Sequence, residues 1–376
     1  MKFPILIALC LGLTSTISAQ SNNANPITTT IPFLNISPDA RSGALGDAGV
    51  AISPDVNALF WNPSKLAFIE TNTSFSLSYS PWLNNLDKDM NLAYAVFSHK
   101  LSDRNTFGLS LNYFNMGKVD IYDENLNSLG SYRPNEFSFE GAFSRKFGEN
   151  FSLGLALKYI HSGINSGTWV EGEQTRSVNA VAAGASLFYT KNTQQFGKSA
   201  IFSFGAYISN IGPKIRYTDS GQDEFLPTNL RIGAANTWVL DERNQLTLTL
   251  DLNKLLVPTP PLRDASGHIT KGKDDDRSVV SGIFGSFTDA PGGFSEELKE
   301  ITLSPAVEYW YNKQLALRAG YSYENPDKGN RKYLTVGAGF RYHTVDIGVS
   351  YLAANQDKSA LANTLRFSLA LNLNGK

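Results

Sequence analysis

Apolar and polar residues alternate in fourteen short segments of this chain. In one of them, Leu246, Leu248 and Leu250 interleave with Thr247 and Thr249. Successive side chains of a β-strand point to opposite faces, so each segment has one apolar and one polar face. The pattern predicts strands at residues 73–80, 90–100, 105–114, 136–147, 151–160, 177–190, 200–209, 227–239, 244–253, 301–311, 314–323, 331–341, 343–352 and 363–373.

Long and short connections alternate between these strands. The predicted short turns are Leu101–Arg104, Gly148–Asn150, Leu240–Arg243, Asn312–Lys313 and Tyr342, with a looser turn at Lys191–Ser199. The predicted long loops are Pro81–Asp89, Asn115–Asn135, His161–Arg176, Asn210–Leu226, Lys254–Glu300, Glu324–Asn330 and Ala353–Ala362. An even strand count places both termini on the short-turn side, which faces the periplasm in outer-membrane barrels. A soluble β-sandwich also alternates, but it has no reason to sort its loops by length.

Aromatic residues cluster at both ends of the apolar strand faces. They are Phe75, Phe107, Phe151, Tyr79, Tyr113, Tyr159, Tyr323, Tyr351, Phe147, Tyr189, Trp238, Tyr311 and Tyr342. Two rings of aromatic side chains at the edges of an apolar band are typical of a barrel in a lipid bilayer.

Charges of both signs lie on the polar strand faces, at Glu140, Lys158, Arg231, Asp251, Glu308, Arg318, Arg341 and Arg366. A charge that faces lipid at mid-depth costs roughly 2–4 kcal/mol, so these side chains are predicted to point into the lumen. We interpret them first as a structural lattice of ion pairs and second as a conduction path.

The N-terminus has the pattern of a secretory signal peptide, with Lys2, an apolar run from Phe3 to Leu13 and a cleavage point after Ala19. The run is too short to span a bilayer as a helix. The only cysteine, Cys10, lies within it, and its surroundings disfavour lipidation. The net charge of −1 gives no indication of nucleic-acid binding.

A distinctive motif precedes the first strand. Residues 39–51 read DARSGALGDAGVA, and residues 57–67 read NALFWNPSKLA. No strand–turn–helix unit surrounds the glycines, so they do not form a dinucleotide-binding fingerprint. The motif residues singled out here are Gly43, Gly46, Asp47, Gly49, Trp61, Asn62 and Pro63.

This motif resembles the N-terminal hatch of the FadL-like outer-membrane barrels, which are fourteen-stranded. Together with length and loop pattern, it resembles the PorV family of type IX secretion. The expected fold is all-β, a 14-stranded antiparallel up-and-down transmembrane β-barrel with an N-terminal hatch segment. Residues 1–19 are the expected signal peptide, 20–72 the N-terminal extension with the hatch, and 73–376 the barrel. One departure is the end Leu373–Lys376, which lacks the aromatic residue usual in such barrels.

The resemblance implies a protein of the cell outer membrane, in contact with membrane lipid and lipopolysaccharide. It implies binding of the folded C-terminal signal domain of secreted cargo at the extracellular face. Cargo would pass from the type IX translocon barrel to the surface sortase complex. No cofactor, metal, catalytic residue or nucleic-acid partner is expected.

Apolar residues in the long loops are the candidate cargo-binding groups. They are Trp82, Leu83, Tyr122, Trp169, Val170, Ile215, Tyr217, Phe225, Phe284, Phe287 and Phe294. Exposed apolar groups on loops indicate a partner surface. The alternative is that they pack on one another and cap the barrel.

Two other functions stay open, a FadL-like channel for hydrophobic small molecules and a lipopolysaccharide-modifying hydrolase. A channel needs a continuous apolar path, which the polar strand faces do not obviously supply. The four histidines lack metal-ligand spacing. Asp274, Asp275 and Asp276 lack the pattern of a dedicated calcium loop. The chain contains no G-x-S-x-G nucleophile motif.

Overall fold

In a computed structural model, the chain is described over residues 24–83, 89–122, 127–164, 169–170, 173–354 and 363–374. The predicted signal peptide lies outside the described residues. The strands are β1 (Thr73–Pro81), β2 (Met90–Lys100), β3 (Asn105–Met116), β4 (Val119–Tyr122), β5 (Ser128–Tyr132), β6 (Asn135–Lys146), β7 (Phe151–Ser162), β8 (Trp169–Val170), β9 (Glu173–Gln174), β10 (Val178–Gln195), β11 (Lys198–Ile211), β12 (Asn229–Val239), β13 (Gln245–Leu255), β14 (Leu262–Arg263), β15 (Ile269–Lys271), β16 (Thr302–Tyr311), β17 (Leu315–Tyr323), β18 (Lys332–Tyr342), β19 (Val345–Ala354) and β20 (Thr364–Leu373).

Fourteen of these strands form one closed antiparallel barrel in the order β1-β2-β3-β6-β7-β10-β11-β12-β13-β16-β17-β18-β19-β20. The barrel closes where β20 pairs with β1, with Thr73 opposite Leu373. Each barrel strand overlaps one of the fourteen predicted strands, so the predicted fold class is confirmed. Alternation of apolar and polar residues predicts these strands because each strand presents an apolar face outside the wall and a polar face inside it.

The remaining strands form three small hairpins in the long connections, β4-β5, β8-β9 and β14-β15. Within the described ranges, four short α-helices are α1 (Ala40–Gly43), α2 (Ala58–Trp61), α3 (Val279–Gly285) and α4 (Phe294–Lys299). Three 3-10 helices span Pro32–Asn35, Pro63–Phe68 and Pro326–Lys328. No helix among the described residues is both long enough and apolar enough to cross a membrane.

The looser turn predicted at Lys191–Ser199 is wrong. Strand β10 continues to Gln195 and β11 begins at Lys198, which leaves only Phe196 and Gly197 between them. Both have positive φ, 53° and 73°, as a two-residue hairpin turn requires. The polar residues after Tyr189 keep pairing beyond the apolar part of the strand, where alternation of apolar residues gives no signal.

The outer surface of the barrel is apolar. In β7, Leu155 and Leu157 are 67% and 65% exposed. On the opposite face of the same strand, Ser152, Gly154 and Ala156 point inward and are buried. Exposed aromatic side chains lie near both ends of this band, including Tyr79, Tyr113, Tyr159, Tyr351, Phe147, Tyr311 and Tyr342. This arrangement is the one expected for a wall that faces lipid.

The lumen is occupied by a buried stretch that we call the luminal segment, residues 30–69. Inward-facing hydroxyl groups of strands around the barrel bind its backbone. Ser368 of β20 accepts a hydrogen bond from the Ala40 N–H (2.8 Å), and Ser144 of β6 donates to the Pro63 carbonyl. Contacts from opposite walls place the segment inside the barrel.

The chain enters the barrel at the long-loop rim. The Asn25 N–H donates to the Asp327 carbonyl (2.8 Å), and the Thr30 N–H donates to the Phe225 carbonyl (3.1 Å), both in long loops. The chain then runs through the lumen to Thr73 at the short-turn rim. The expectation that both termini lie on the short-turn side is therefore wrong for the first described residues, because strand counting ignores a segment that crosses the lumen.

Candidate functional site

The two halves of the sequence motif before β1 contact each other within the luminal segment. Asp39 accepts hydrogen bonds from the Ser42 N–H (2.9 Å) and from the Trp61 indole N–H (2.7 Å). Gly49 lies against the Trp61 ring, where an added Cβ would come within 2.3 Å of Cδ2. The spacing of the motif therefore brings its two halves together.

Other motif residues fix the segment to the wall. Gly46 has φ of +65°, and a Cβ there would lie 2.7 Å from the backbone nitrogen of Tyr321. Asp47 accepts a hydrogen bond from the Tyr333 hydroxyl. Only a glycine combines this backbone conformation with so close an approach to the strand.

Three further motif residues also contact the wall. A Cβ at Gly43 would lie 2.8 Å from the Arg366 side chain. The Asn62 amide donates to the Leu187 carbonyl (3.0 Å), and the Pro63 carbonyl accepts the Ser144 hydroxyl. Each of the seven motif residues thus contacts either another part of the luminal segment or the barrel wall.

The predicted lattice of inward charges serves the luminal segment as well as the strands. Arg41 forms two hydrogen bonds to Glu308 (3.0 and 2.7 Å), whose Oε2 also accepts from Arg318 (2.7 Å). Asp251 accepts the N–H groups of Gly49 (2.7 Å) and of Val50. Sequence reasoning missed Arg41 because strand periodicity says nothing about a segment outside the strands.

The other predicted inward charges differ in environment. Lys158 and Glu140 pair at 3.4 Å deep in the lumen. Arg341 is 48% exposed at the short-turn rim, where it pairs with Asp346 (2.8 Å). This last ion pair is a solvated rim contact, not part of the interior lattice.

Four of the candidate cargo-binding residues are buried or half-buried, not exposed. Trp82 and Ile215 are buried, and Leu83 and Tyr217 are half-buried, all packed in one cluster with Phe33 of the luminal segment. The expectation of exposure is wrong for these four because the first 3-10 helix supplies an apolar partner at the long-loop end of the lumen. They cap the barrel, the alternative considered for them.

Phe225 lies beneath helix α3. An added Cβ on Gly282 would come within 2.8 Å of its ring, so the helix packs directly on it. The Lys214 ammonium lies 4.6 Å from the ring centroid and also pairs with Asp276 (2.9 Å). Phe225 therefore supports α3 from below.

Among the described residues of the long-loop rim, the most exposed apolar side chains lie in the longest connection, between β13 and β16. Phe284 and Phe294 are 75% and 76% exposed. We define the aromatic surface as Val280, Phe284, Phe287, Phe294 and Leu298, which lie on or beside helices α3 and α4. The candidate residues Phe284, Phe287 and Phe294 are thus exposed as expected.

Buried ion pairs hold α4 in place. The Lys254 ammonium, at the end of β13, bridges Glu297 (3.0 Å) and Glu300 (2.5 Å). Glu297 also accepts the N–H groups of Asp289 (2.7 Å) and Ala290 (2.9 Å) in the preceding turn. All these contacts are made by groups that are nearly inaccessible to solvent, so the helix has a fixed position on the barrel.

A second link joins α4 to the neighbouring loop. The Lys328 ammonium lies 2.5 Å from Glu296 and 3.0 Å from Glu300. Burial alone would raise the pKa of the Glu296 carboxyl, but the hydrogen bonds from Lys328 and from the Gly292 N–H outweigh it, so the pKa lies below its ordinary value. Glu296 is therefore ionised at neutral pH and holds Lys328.

The side chains of the remaining candidates, Tyr122, Trp169 and Val170, lie outside the described part of the structure. Within the described part, no group of three or more His, Cys, Asp or Glu side chains is arranged to hold a metal ion. The arrangement at the long-loop rim is suited to binding a macromolecule, since it combines exposed aromatic groups with a rigid support.

Comparisons with known proteins agree with this architecture. The family described as type IX secretion system protein PorV matches residues 18–262. A search of the curated proteins finds no match.

Among solved barrels, the toluene transporters TodX and TbuX share the fold. The toluene transporter TodX of P. putida is 12% identical with a TM-score of 0.52, covering 90% of this chain and 99% of its own. The toluene transporter TbuX of Ralstonia pickettii is 10% identical with a TM-score of 0.51, covering 91% and 99%. A Pseudomonas aeruginosa FadL homologue is 14% identical with a TM-score of 0.42, covering 90% and 98%. At such identities the likeness concerns the fold alone.

Proposed function

The chain belongs to the PorV family of type IX secretion system proteins, and from this premise we propose that it binds secreted cargo at the surface of the outer membrane. In this proposal the folded C-terminal signal domain of the cargo docks at the long-loop rim. The barrel then carries the cargo from the translocon barrel to the sortase complex that attaches it to the cell surface.

The aromatic surface is the observation that carries the proposal. Phe284 and Phe294 are about three-quarters exposed. Helix α3, which carries Phe284, packs on the Phe225 ring, and helix α4, which carries Phe294, is held by buried ion pairs. Exposed apolar groups mark interaction sites, and aromatic anchors supply much of the binding free energy at interfaces. A surface that is already rigid loses less conformational entropy when a partner binds.

The filled lumen supports a platform role for the barrel. The luminal segment is bound on several sides by strand hydroxyls and by Glu308 and Asp251. Moving it would break buried charge pairs and hydrogen bonds together, which is costly. Recognition at the rim does not require this segment to move.

The second candidate function, a channel for hydrophobic small molecules, rests on the fold shared with the toluene transporters TodX and TbuX. The lumen supports it less well. Its apolar part at the long-loop end is filled by Ile31, Phe33 and Leu34, and the cavity beside it is lined by six charged side chains. A channel of this class needs a continuous apolar path.

Co-purification from native membranes tests the proposed function. The barrel should be recovered with a much larger translocon barrel and with secreted proteins that carry the C-terminal signal domain. Alanine substitution of both Phe284 and Phe294 should remove the cargo and leave the barrel itself in the membrane. Recovery of the wild-type barrel alone, with an apolar small molecule in its lumen, would contradict the proposal and favour the channel.

A further inference from the structure

A cavity of about 460 Å³ lies at the long-loop end of the lumen. Its roof is formed by residues between 26 and 32, and its floor contains Asp47 and Trp61. Its sides are inward residues of β12, β13, β16, β17 and β18 together with the loop at 324–331. Pro32, Gly329 and Arg331 in its lining are exposed, so the cavity opens outward. Its volume falls in the range of about 300–1,000 Å³ typical of small-ligand sites.

Six charged side chains line this cavity, and five of them are neutralised by neighbours. Glu300 pairs with Lys328 (3.0 Å) and Glu324 with Arg331 (2.9 Å). Asp47 accepts the Tyr333 hydroxyl and lies 3.9 Å from Arg366. The sixth charged group is Arg231.

Arg231 is only 4% exposed, yet no described carboxylate lies within ion-pairing distance of its guanidinium. It donates instead to the Phe60 carbonyl (3.2 Å) and to the Asn35 side-chain oxygen (3.5 Å). The rings of Phe60 and Trp61 lie 5.1 and 5.0 Å from its central carbon. The cation is therefore held in a fixed position and uses two donors on neutral oxygens.

A buried guanidinium has five N–H donors in a planar fork that matches a carboxylate in two parallel hydrogen bonds. A buried positive charge without a directly paired carboxylate is costly, even with Asp251 and Asp47 nearby, and a ligand carboxylate would reduce that cost. Arg231 lines an open cavity of ligand size, so a carboxylate bound in this cavity would lie beside the guanidinium.

We propose that this cavity binds the carboxylate of a small polar molecule or of a peptide end, with Arg231 as the anion-binding residue. The site lies apart from the side chains of the aromatic surface, but Glu300 and Lys328 both line the cavity and support α4. The same chemistry has two possible sources, a free short peptide or the C-terminal end of a bound protein, and the experiment below distinguishes them.

Titration calorimetry on the purified full-length barrel in detergent, at low salt, tests the proposal with triglycine as the probe. Triglycinamide is the matched control, since it differs only in lacking the terminal carboxylate. Triglycine should bind at least tenfold more tightly than triglycinamide. Arg231→Gln should abolish the difference, and Arg231→Lys should restore part of it.

A second variant tests the proposal independently of whether the Arg231 variants fold. Asn253 also lines the cavity, so Asn253→Phe should block triglycine while leaving Arg231 unchanged. Equal binding of the two peptides to the wild-type barrel, or unchanged triglycine binding to Arg231→Gln, would overturn the proposal.

The source of the carboxylate is tested with a purified C-terminal signal domain, compared with the same domain amidated at its last residue. If amidation and Arg231→Gln both weaken binding tenfold, the ligand is the end of the cargo. If neither matters but triglycine still binds, the ligand is a free molecule. Loss of domain binding in Phe284 and Phe294 variants with intact triglycine binding would concern the aromatic surface alone.

Discussion

Arg41 of the luminal segment and Glu308 of β16 are joined by two hydrogen bonds, Nε–Oε2 at 3.0 Å and Nη2–Oε1 at 2.7 Å. Both side chains are largely shielded from water, and Arg318 lies on the other side of the same carboxylate. The Arg318 hydrogen bond joins neighbouring strands, whereas the Arg41 pair joins the segment to the wall. Glu308 is therefore a point at which barrel stability and retention of the segment are coupled.

Replacing Glu308 with Gln should destabilise the barrel. Among the described residues, buried Arg318 would be left without a carboxylate partner, and Arg41 would keep only Asp55 (2.8 Å). Removing one member of a buried pair costs about 3–5 kcal/mol. The free energy of unfolding in urea should fall by that amount, and ion current through planar bilayers should rise as the segment loosens.

The Arg341–Asp346 pair provides the control for this substitution. It has the same chemistry and similar distances but lies at the solvated rim, so Asp346→Asn should cost only about 0–1 kcal/mol. Equal losses of unfolding free energy in the two variants would show that burial does not strengthen the contribution of the Glu308 ion pairs to stability.

Gly320 of β17 faces the luminal segment so closely that any side chain should displace the segment. An added Cβ would lie 2.1 Å from the Leu45 carbonyl carbon and 2.2 Å from the Gly46 nitrogen, both backbone atoms. Gly320→Ala should therefore cost at least about 1–3 kcal/mol and expose the segment to protease.

The matched control is Gly141→Ala on the outward face of β6, where the nearest atom is 3.6 Å away. Its effect on the thermal midpoint should be small. If Gly320→Ala were as stable and as protease-resistant as Gly141→Ala, the placement of the luminal segment against β17 would be wrong.

Lys254 should control the mobility of helix α4 without contacting cargo. Lys254→Met leaves Glu297 and Glu300 buried without their shared cation, a loss on the order of 3–5 kcal/mol. Backbone amides of Phe294–Lys299 should then exchange hydrogen at least tenfold faster, as measured by mass spectrometry. Cargo affinity should fall although no aromatic residue has changed.

The neighbouring Lys299→Met serves as the comparison, since Lys299 pairs with Asp327 (2.7 Å) in a partly exposed position. Exposed pairs contribute little to stability, so exchange should remain close to wild type. Protection of α4 that survived loss of Lys254 would argue against the buried network as its support.

Strand alternation alone predicts all fourteen barrel strands and which side chains face lipid, because each strand is constrained by its own two faces. The burial of Trp82 and Ile215 cannot be predicted in this way. Their partner, Phe33, is distant in sequence, and nothing local to either residue indicates that contact. The extent of the β10–β11 hairpin was missed for a related reason, since its polar end carries no apolar signal.

In the candidate site, too, local sequence predicts exposure but not long-range ion pairing. Phe284 and Phe294 were predicted to be exposed from their place in a long connection, and they are. The support beneath Phe294 has no sequence signal, since the ion pairs of Lys254 and Lys328 with α4 unite three separate parts of the chain. Pairing of this kind depends on how loops pack at the rim and has no periodic signature.

The affinity of a folded C-terminal signal domain for the purified barrel tests the central claim most directly. Truncating a binding hot spot costs about 2 kcal/mol or more, so the double variant Phe284→Ala, Phe294→Ala should bind at least about thirtyfold more weakly. The control is Leu155→Ala, Leu157→Ala, which removes apolar groups that are also mostly exposed, but from the lipid-facing band, and should leave the Kd unchanged. Wild-type affinity in the phenylalanine variant, with the barrel folded, would contradict the account.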